Sequence, residues 1–446
     1  MTQSPTASTR PLSPELDSVL AAAAQRISRD RLAERLRTIV DIPSPTGDEL
    51  PLARHLVAEL EAIGCRSTLQ VIDDRQGNAT GRLAGVGGGV DLLLYAPTDT
   101  AFSGNVDEDE PWLGPRPRPD LALPPRIEGG KVIGLGAENP KSYVACILEV
   151  VEAFVGAGAL LPGSLMAGFA GGGMPISGRP GTRRNVGHGS GCAYMIERGV
   201  RPDYAVVVKP GYAVSWEEVG LTWHTLTIRG GLNYTGIRHR VPYRNPIVAA
   251  ARVIDALEAW FVDYAARHTE GYVGPQGSIG AIRAGGADLS AFVPPTCQLY
   301  LDVRLGPRQT SREVQEELNA LLEELRPQLV DFGLESEMTV AVEGTATPED
   351  SWIVRSLVRA WEAREGRPHE AARGTSGATD VAILRGHGIH TARLGPPQPR
   401  TPSPYPGFSM GVADLEALES LAHVLLHAVV DTLGRTREEI TASPVA

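Results

Sequence analysis

The stretch that most constrains the fold runs from residue 91 to residue 141. It opens with DLLLYAPTDTAF, an apolar run without alternating polar positions, ending in a turn that carries Asp99. A strand that is apolar at successive positions belongs in a sheet covered on both faces. The stretch closes with GGKVIGLGAENPKSYVACILEVVEAF, a Gly-rich turn carrying Asn139 and Lys141 that runs into helical apolar spacing. In an open α/β sheet, side chains at the carboxyl ends of strands line the ligand crevice. Asp99, Asn139 and Lys141 are therefore predicted to face one pocket.

Composition narrows the function classes. The 446 residues are enough for two domains. Hydrophobic residues at 42% and charged residues at 21% fit a soluble globular chain. A net charge of −11, no basic stripe and only 5% aromatics argue against nucleic acid as a partner. The four cysteines, Cys65, Cys146, Cys192 and Cys297, are scattered without a CxxC pair. That pattern fits a reducing compartment and no thiolate zinc site. No apolar run reaches the ~18 residues of a membrane span. Residues 1–13 lack an apolar signal core and read as a disordered tail, so a cytoplasmic location away from membranes is expected. Lysine occurs only at Lys131, Lys141 and Lys209, which makes the last two conspicuous.

Taken in order, two helical patterns flank the turn IPSPTGDE, and two short strands follow before DLLLYAP. Residues 102–130 are Pro-rich and acidic and read as a solvated surface loop. A helix from Ser142 leads to PGSLMAGFAGGGMP, an apolar strand ending in glycines, and then to YAVVVKP, another strand, ending at Lys209. From residue 216 to 342 the pattern becomes strand, helix, strand, strand, helix, strand, a ferredoxin-like βαββαβ unit. Residues 14–215 and 343–446 are thus expected to form one domain, with residues 216–342 inserted in it.

These motifs resemble those of the di-zinc exopeptidase and deacylase family that includes acetylornithine deacetylase, succinyl-diaminopimelate desuccinylase, aminoacylase and carboxypeptidase G. That family carries Gly-His-x-Asp-Thr at the first turn and Gly-x-Gly-x-x-Asp-x-Lys at the second. This chain has APTDT at residues 96–100 and GLGAENPK at residues 134–141. The resemblance spans residues 32–433. It implies a mixed-sheet, aminopeptidase-like α/β catalytic domain with the βαββαβ unit as lid or dimerisation domain, and hence a homodimer. It also implies five metal-ligand positions, all changed here. Pro97 stands for the first His, Asn139 for the bridging Asp and Lys209 for the acid before Pro. The run Gly171, Gly172, Gly173 and Met174 replaces the adjacent Glu pair, one of which is the general base. Pro404 falls at the last His. No Asp or Glu occurs between Glu152 and Glu197. Asp99, which orients the lost His in the family, is kept, as is Asp380 in a Gly-x-Ser/Thr-Asp-like segment. Tyr234 falls at the lid His that reaches the active site, with Arg238, His239 and Arg240 just beyond. Trp112 and Pro115 match a Trp and a Pro near the pocket.

Zinc needs about four deprotonated N, S or O ligands, which Asp99 alone does not supply. The expectation is a site without metal or other cofactor, in which Lys209 forms an ion pair with Asp99. The predicted activity is that of a divergent amidohydrolase or deacylase on a small N-acyl amino acid, peptide or related amide. Asp99, Lys209, Lys141, Asn139, Tyr234 and His239 are the catalytic candidates. Arg238, Arg240, Thr100 and Asp380 are the substrate contacts, with Arg183 and Arg184 as further carboxylate holders. A buried Lys titrates readily and can act as base or Schiff-base nucleophile. Glycines at 171–173 and 187–191 offer N–H groups to an oxyanion or carboxylate. The alternative is a non-catalytic binder of an amino-acid-like ligand. A third, weaker reading takes His188, Ser190 and Cys192 of GHGSGC as a hydrolase set that lacks an orienting acid. His423 and His427 read as a surface pair.

Overall fold

The computed structural model describes residues 11–116, 118–178, 186–398 and 410–441. The chain divides into two compact units. The first comprises Met1–Trp216, Thr347–Ala371 and Thr379–Ala446, and the second Glu217–Ala346 and Ala372–Ala378.

The first unit is built on a six-stranded sheet in the order Arg66–Val71, Gly77–Leu83, Ser164–Ala170, Asp91–Pro97, Tyr204–Val208, His390–Leu394. The last four run parallel and Gly77–Leu83 runs antiparallel to both of its neighbours, so the sheet is mixed. DLLLYAP lies inside, between Ser164–Ala170 and Tyr204–Val208, and is buried from Leu92 to Pro97. That placement explains its continuous apolar run. On one face, Leu93, Tyr95 and Val207 pack with Met195, Ile196 and Leu384 from the helices Ser190–Glu197 and Val381–Gly386. On the other lies the helix Ser142–Gly156, covered in turn by Arg29–Val40 and Leu415–Leu433. Enclosed on nearly all sides, this helix carries apolar residues around most of its circumference.

The acidic stretch after Asp99 is not simply a solvated loop. It holds a short helix, Val106–Leu113, capped by the Asn105 side chain. Its Asp109 is buried, accepting hydrogen bonds from the backbone N–H groups of Ser103 and Gly104. Asp120 is also buried and pairs with Arg118. Asp109 thus caps its own loop and Asp120 holds an ion pair, uses that a count of charges does not reveal. Trp112 is 66% exposed and Pro115 is exposed as well.

The second unit is a four-stranded antiparallel sheet in the order Gly277–Arg283, Thr296–Leu305, Gly220–Arg229, Gly333–Val342. The helices Pro246–His268 and Ser311–Leu325 share one hydrophobic core with it, completing the βαββαβ order predicted from the pattern. Burial alternates strictly along TCQLYLDVRL, the period of a half-buried strand. Val314, Leu318 and Leu322 recur every four residues on the second helix, which Thr310 and Glu313 start with a reciprocal capping box. No helix among the described residues is long and apolar enough to cross a membrane.

Candidate functional site

The carboxyl ends of the parallel strands bring three turns together in the first unit. Asp99 follows Asp91–Pro97, the glycine run follows Ser164–Ala170, and Lys209 follows Tyr204–Val208. The Asp99 carboxylate accepts from the N–H of Gly173 at 2.7 Å, the N–H of Met174 at 2.9 Å and the Thr46 hydroxyl at 2.7 Å. It is fully buried.

The expected ion pair between Asp99 and Lys209 does not form. Strand order supplies the reason. Asp91–Pro97 lies between the two neighbouring strands, and Asp99 turns toward the glycine run on one side while Lys209 emerges on the other. Lys209 is 5% exposed, and its ammonium donates to Asn139 Oδ1 at 3.4 Å. Lys209 and Asn139 are therefore brought together as expected, and Asp99 is spoken for elsewhere.

Lys141 also departs from its expected place. Its ammonium points inward, donating to the carbonyls of Ile42 at 2.6 Å and Val40 at 3.5 Å, just past the C-terminus of Arg29–Val40. A cation suits that helix end. Burial pushes its pKa down to about 7. Thr100 is buried too, its hydroxyl donating to the Phe102 carbonyl at 2.7 Å. Asp380 accepts from the Tyr95 hydroxyl at 2.5 Å beneath the glycine run, and both are buried. Burial and the Asp380 charge hold the Tyr95 phenol far above its ordinary pKa.

Sequence reasoning missed Glu49, the acid of TGDEL. Its Oε1 accepts from the N–H groups of Gly47 and Gly172, both at 2.8 Å. Its Oε2 is buried with no hydrogen-bond partner among the described residues. Burial, reinforced by the Asp99 charge, raises its pKa to about 8. Glu49 and Asp99 thus converge on one turn, whose successive N–H groups at 172, 173 and 174 they occupy. The signal in the sequence was an acid in a Pro/Gly turn directly before an apolar helix.

Those N–H groups were expected to serve an oxyanion or a ligand carboxylate. The chain's own carboxyl groups hold them instead. The thiol of Cys192 is fully buried, and burial and the Asp380 charge raise its pKa well above the ordinary thiol range, the opposite of what activates a thiol. His188 and Ser190 border the same turn, with His188 in a left-handed conformation at φ 55°. His423 and His427 are half-buried rather than a surface pair, and burial lowers both pKa values. Arg183, Arg184 and Pro404 lie outside the described residues. Beside the Thr46–Asp99 corner opens a cleft of about 860 Å³ lined by Thr46, Gly47, Ala101, Ser103, Ile176 and Val186.

In the second unit, Tyr234, Arg238, His239 and Arg240 are all exposed on the connection between Gly220–Arg229 and Pro246–His268. The Tyr234 ring lies 5.4 Å from that of Phe292, and Arg238 stacks over Tyr243 at 3.9 Å. Arg240 donates to His239 Nε2 at 3.0 Å.

Residues 217–330 match the family model of the M20 peptidase dimerisation domain. The succinyl-diaminopimelate desuccinylase of Dechloromonas aromatica is 25% identical over 66% of this chain and 73% of its own length. That of Bordetella parapertussis is 27% identical over 50% of this chain and 55% of its own. Among solved structures, a Saccharomyces cerevisiae dipeptidase aligns with a TM-score of 0.71 at 13% identity, over 95% of this chain and all of that one. An M20 family metallo-carboxypeptidase of Sulfolobus solfataricus aligns with a TM-score of 0.65 at 15% identity, over 90% and 99%. The match of residues 217–330 to the dimerisation domain and the desuccinylase relatives support an M20 peptidase and deacylase affiliation. Its fold is the one these solved structures share.

Among the described residues, the turns at the strand ends offer no ligand set for two metal ions. Among the described residues, no three His, Cys, Asp or Glu side chains gather closely enough to hold a metal. Pro97, Gly171 and Gly172 offer no side-chain donor, Lys209 carries the charge of a cation, and the Asp99 oxygens are committed to hydrogen bonds.

Proposed function

We propose that this chain acts on a small amide of the amino-acid class, an N-acyl amino acid or dipeptide, in the crevice at the strand ends, without the family's two zinc ions. The family and the named activities of the relatives supply the substrate class. The observation that carries the metal-free part is Lys209, a nearly buried ammonium beside Asn139 where the family places an acid ligand and the bridging carboxylate. A fixed cation there suits an anionic group of the ligand, through the charge-assisted hydrogen bonds an ammonium makes. The lid domain is the proposed seat of a homodimer, and Arg238, Arg240, Tyr234 and His239 are its proposed contribution to ligand capture.

A second reading, a binder without turnover, is favoured by one observation. Asp99 and Lys141, two groups expected to move protons, are both consumed by backbone hydrogen bonds. The test is a panel of N-succinyl and N-acetyl amino acids and dipeptides, assayed with and without chelator and with Lys209→Met. Chelator-resistant turnover lost in Lys209→Met supports the first reading. Saturable binding without turnover, weakened in the same variant, supports the second. Turnover abolished by chelator refutes the metal-free site.

A further inference from the structure

The turn at residues 171–174 shows how the crevice keeps its shape. We propose that this turn, which in the family projects two carboxylates, has become an element that receives two: the Glu49–Asp99 pair and the glycine run are one interlocking unit that stands in for the metal centre as the brace of the crevice. The inference rests on the metal-free reading above and adds a structural mechanism to it.

Three consecutive glycines are each closed to a side chain by a different neighbour. A Cβ at Gly171 would lie 2.7 Å from Glu49 Cδ. At Gly172, where φ is +70°, it would lie 2.2 Å from the Val186 carbonyl oxygen and 2.4 Å from Ser190 Oγ. At Gly173 it would lie 2.4 Å from Pro97 Cβ and 2.8 Å from Asp380 Oδ2. The space for side chains on this turn is therefore filled, by Glu49 at Gly171, by Val186 and Ser190 at Gly172, and by Pro97 and Asp380 at Gly173. The turn's polar groups are filled as well. The Gly171 N–H donates to Asn78 Oδ1, and the carbonyls of Gly171 and Gly172 accept from the N–H groups of Gly191 and Gly189. With the N–H groups at 172, 173 and 174 held by Glu49 and Asp99, these hydrogen bonds tie the strand end to Glu49, to Asp99, to Asn78 and to the turn at 189–191.

The experiment is thermal unfolding of the full chain. Wild type, Gly171→Ala, Glu49→Ala and Glu49→Ala/Gly171→Ala are each melted with EDTA, without additions and with a zinc chloride titration. The expected results are a wild-type Tm unmoved by EDTA or zinc, a Gly171→Ala Tm lower by ~5 °C or more, and a smaller Gly171→Ala penalty in the Glu49→Ala background, because the clashing carboxyl is gone. An equal Gly171→Ala penalty in both backgrounds overturns the interlock. A saturable rise of wild-type Tm with zinc overturns the replacement of metal. If Gly171→Ala aggregates, recovery of soluble double variant supports the proposal, and aggregation of both contradicts it. No substrate enters these melts, so failure of the activity reading leaves their outcome intact.

Discussion

Glu49→Gln should change how the stability of the first unit depends on pH. In the folded chain Glu49 keeps its proton to about pH 8, whereas the ordinary Glu value is 4.5. Between those values the folded state binds more protons than the unfolded state. The stability contributed by the raised pKa is therefore fully present below pH 4.5 and is lost as pH rises toward 8. At 1.36 kcal/mol per pKa unit, the loss by pH 7 is ~3 kcal/mol. Gln keeps the Oε1 acceptor for Gly47 and Gly172 but cannot ionise. Its amide leaves donors unpaired at the site where Oε2 has no partner among the described residues, a constant cost of ~1–3 kcal/mol. The variant should thus begin below wild type near pH 5 and gain on it by ~1 kcal/mol per pH unit up to pH 8. Urea unfolding followed by tryptophan fluorescence at pH 5.5, 6.5 and 7.5 measures the difference. Parallel stability curves for the two proteins would refute a buried, neutral Glu49.

Other perturbations have outcomes of comparable clarity. Lys141→Met leaves the Val40 and Ile42 carbonyls short of a donor and should cost ~1–3 kcal/mol in urea unfolding. Because the Lys141 pKa falls to about 7 from 10.5, its contribution is present above 10.5 and lost as pH falls toward 7, so the variant's deficit should grow from pH 7 to 10. Asp431→Asn removes the buried carboxylate that Arg359 reaches at 2.6 Å and Arg435 at 2.9 Å, and should destabilise the first unit by ~3–5 kcal/mol in the same assay. Lys209→Met should leave unfolding nearly unchanged while weakening ligand binding about tenfold or more in calorimetry, the loss of one charge-assisted contact. Equal affinity in that variant would remove Lys209 from the site.

The fold was readable because each element repeats its own period. DLLLYAP lacks alternation since both of its faces are covered, and TCQLYLDVRL alternates since one of its faces is not. The proposal that Pro97, Asn139 and Lys209 stand at former ligand positions rests on turn motifs that keep their spacing when their chemistry changes. What pairs with what was hidden. Opposite charges at neighbouring strand ends suggested Asp99 with Lys209, but the glycine run reaches Asp99 from the other side with two N–H groups, and backbone donors leave no mark in a sequence. Glu49 escaped notice for a related reason, since its partners are the N–H groups of Gly47 and Gly172. The rare lysines stood out for opposite reasons. Lys209 donates to Asn139 at a strand end, and Lys141 is spent on carbonyls at a helix end.

The most direct test of the central claim, that the chain's own carboxyl groups brace this crevice in place of metal, is the metal content of protein purified without chelator. Elemental analysis after dialysis against zinc and gel filtration should find only substoichiometric traces. One or two zinc ions retained per chain would contradict the account. They would show that donors converge where the side chains of Pro97 and the glycine run offer none.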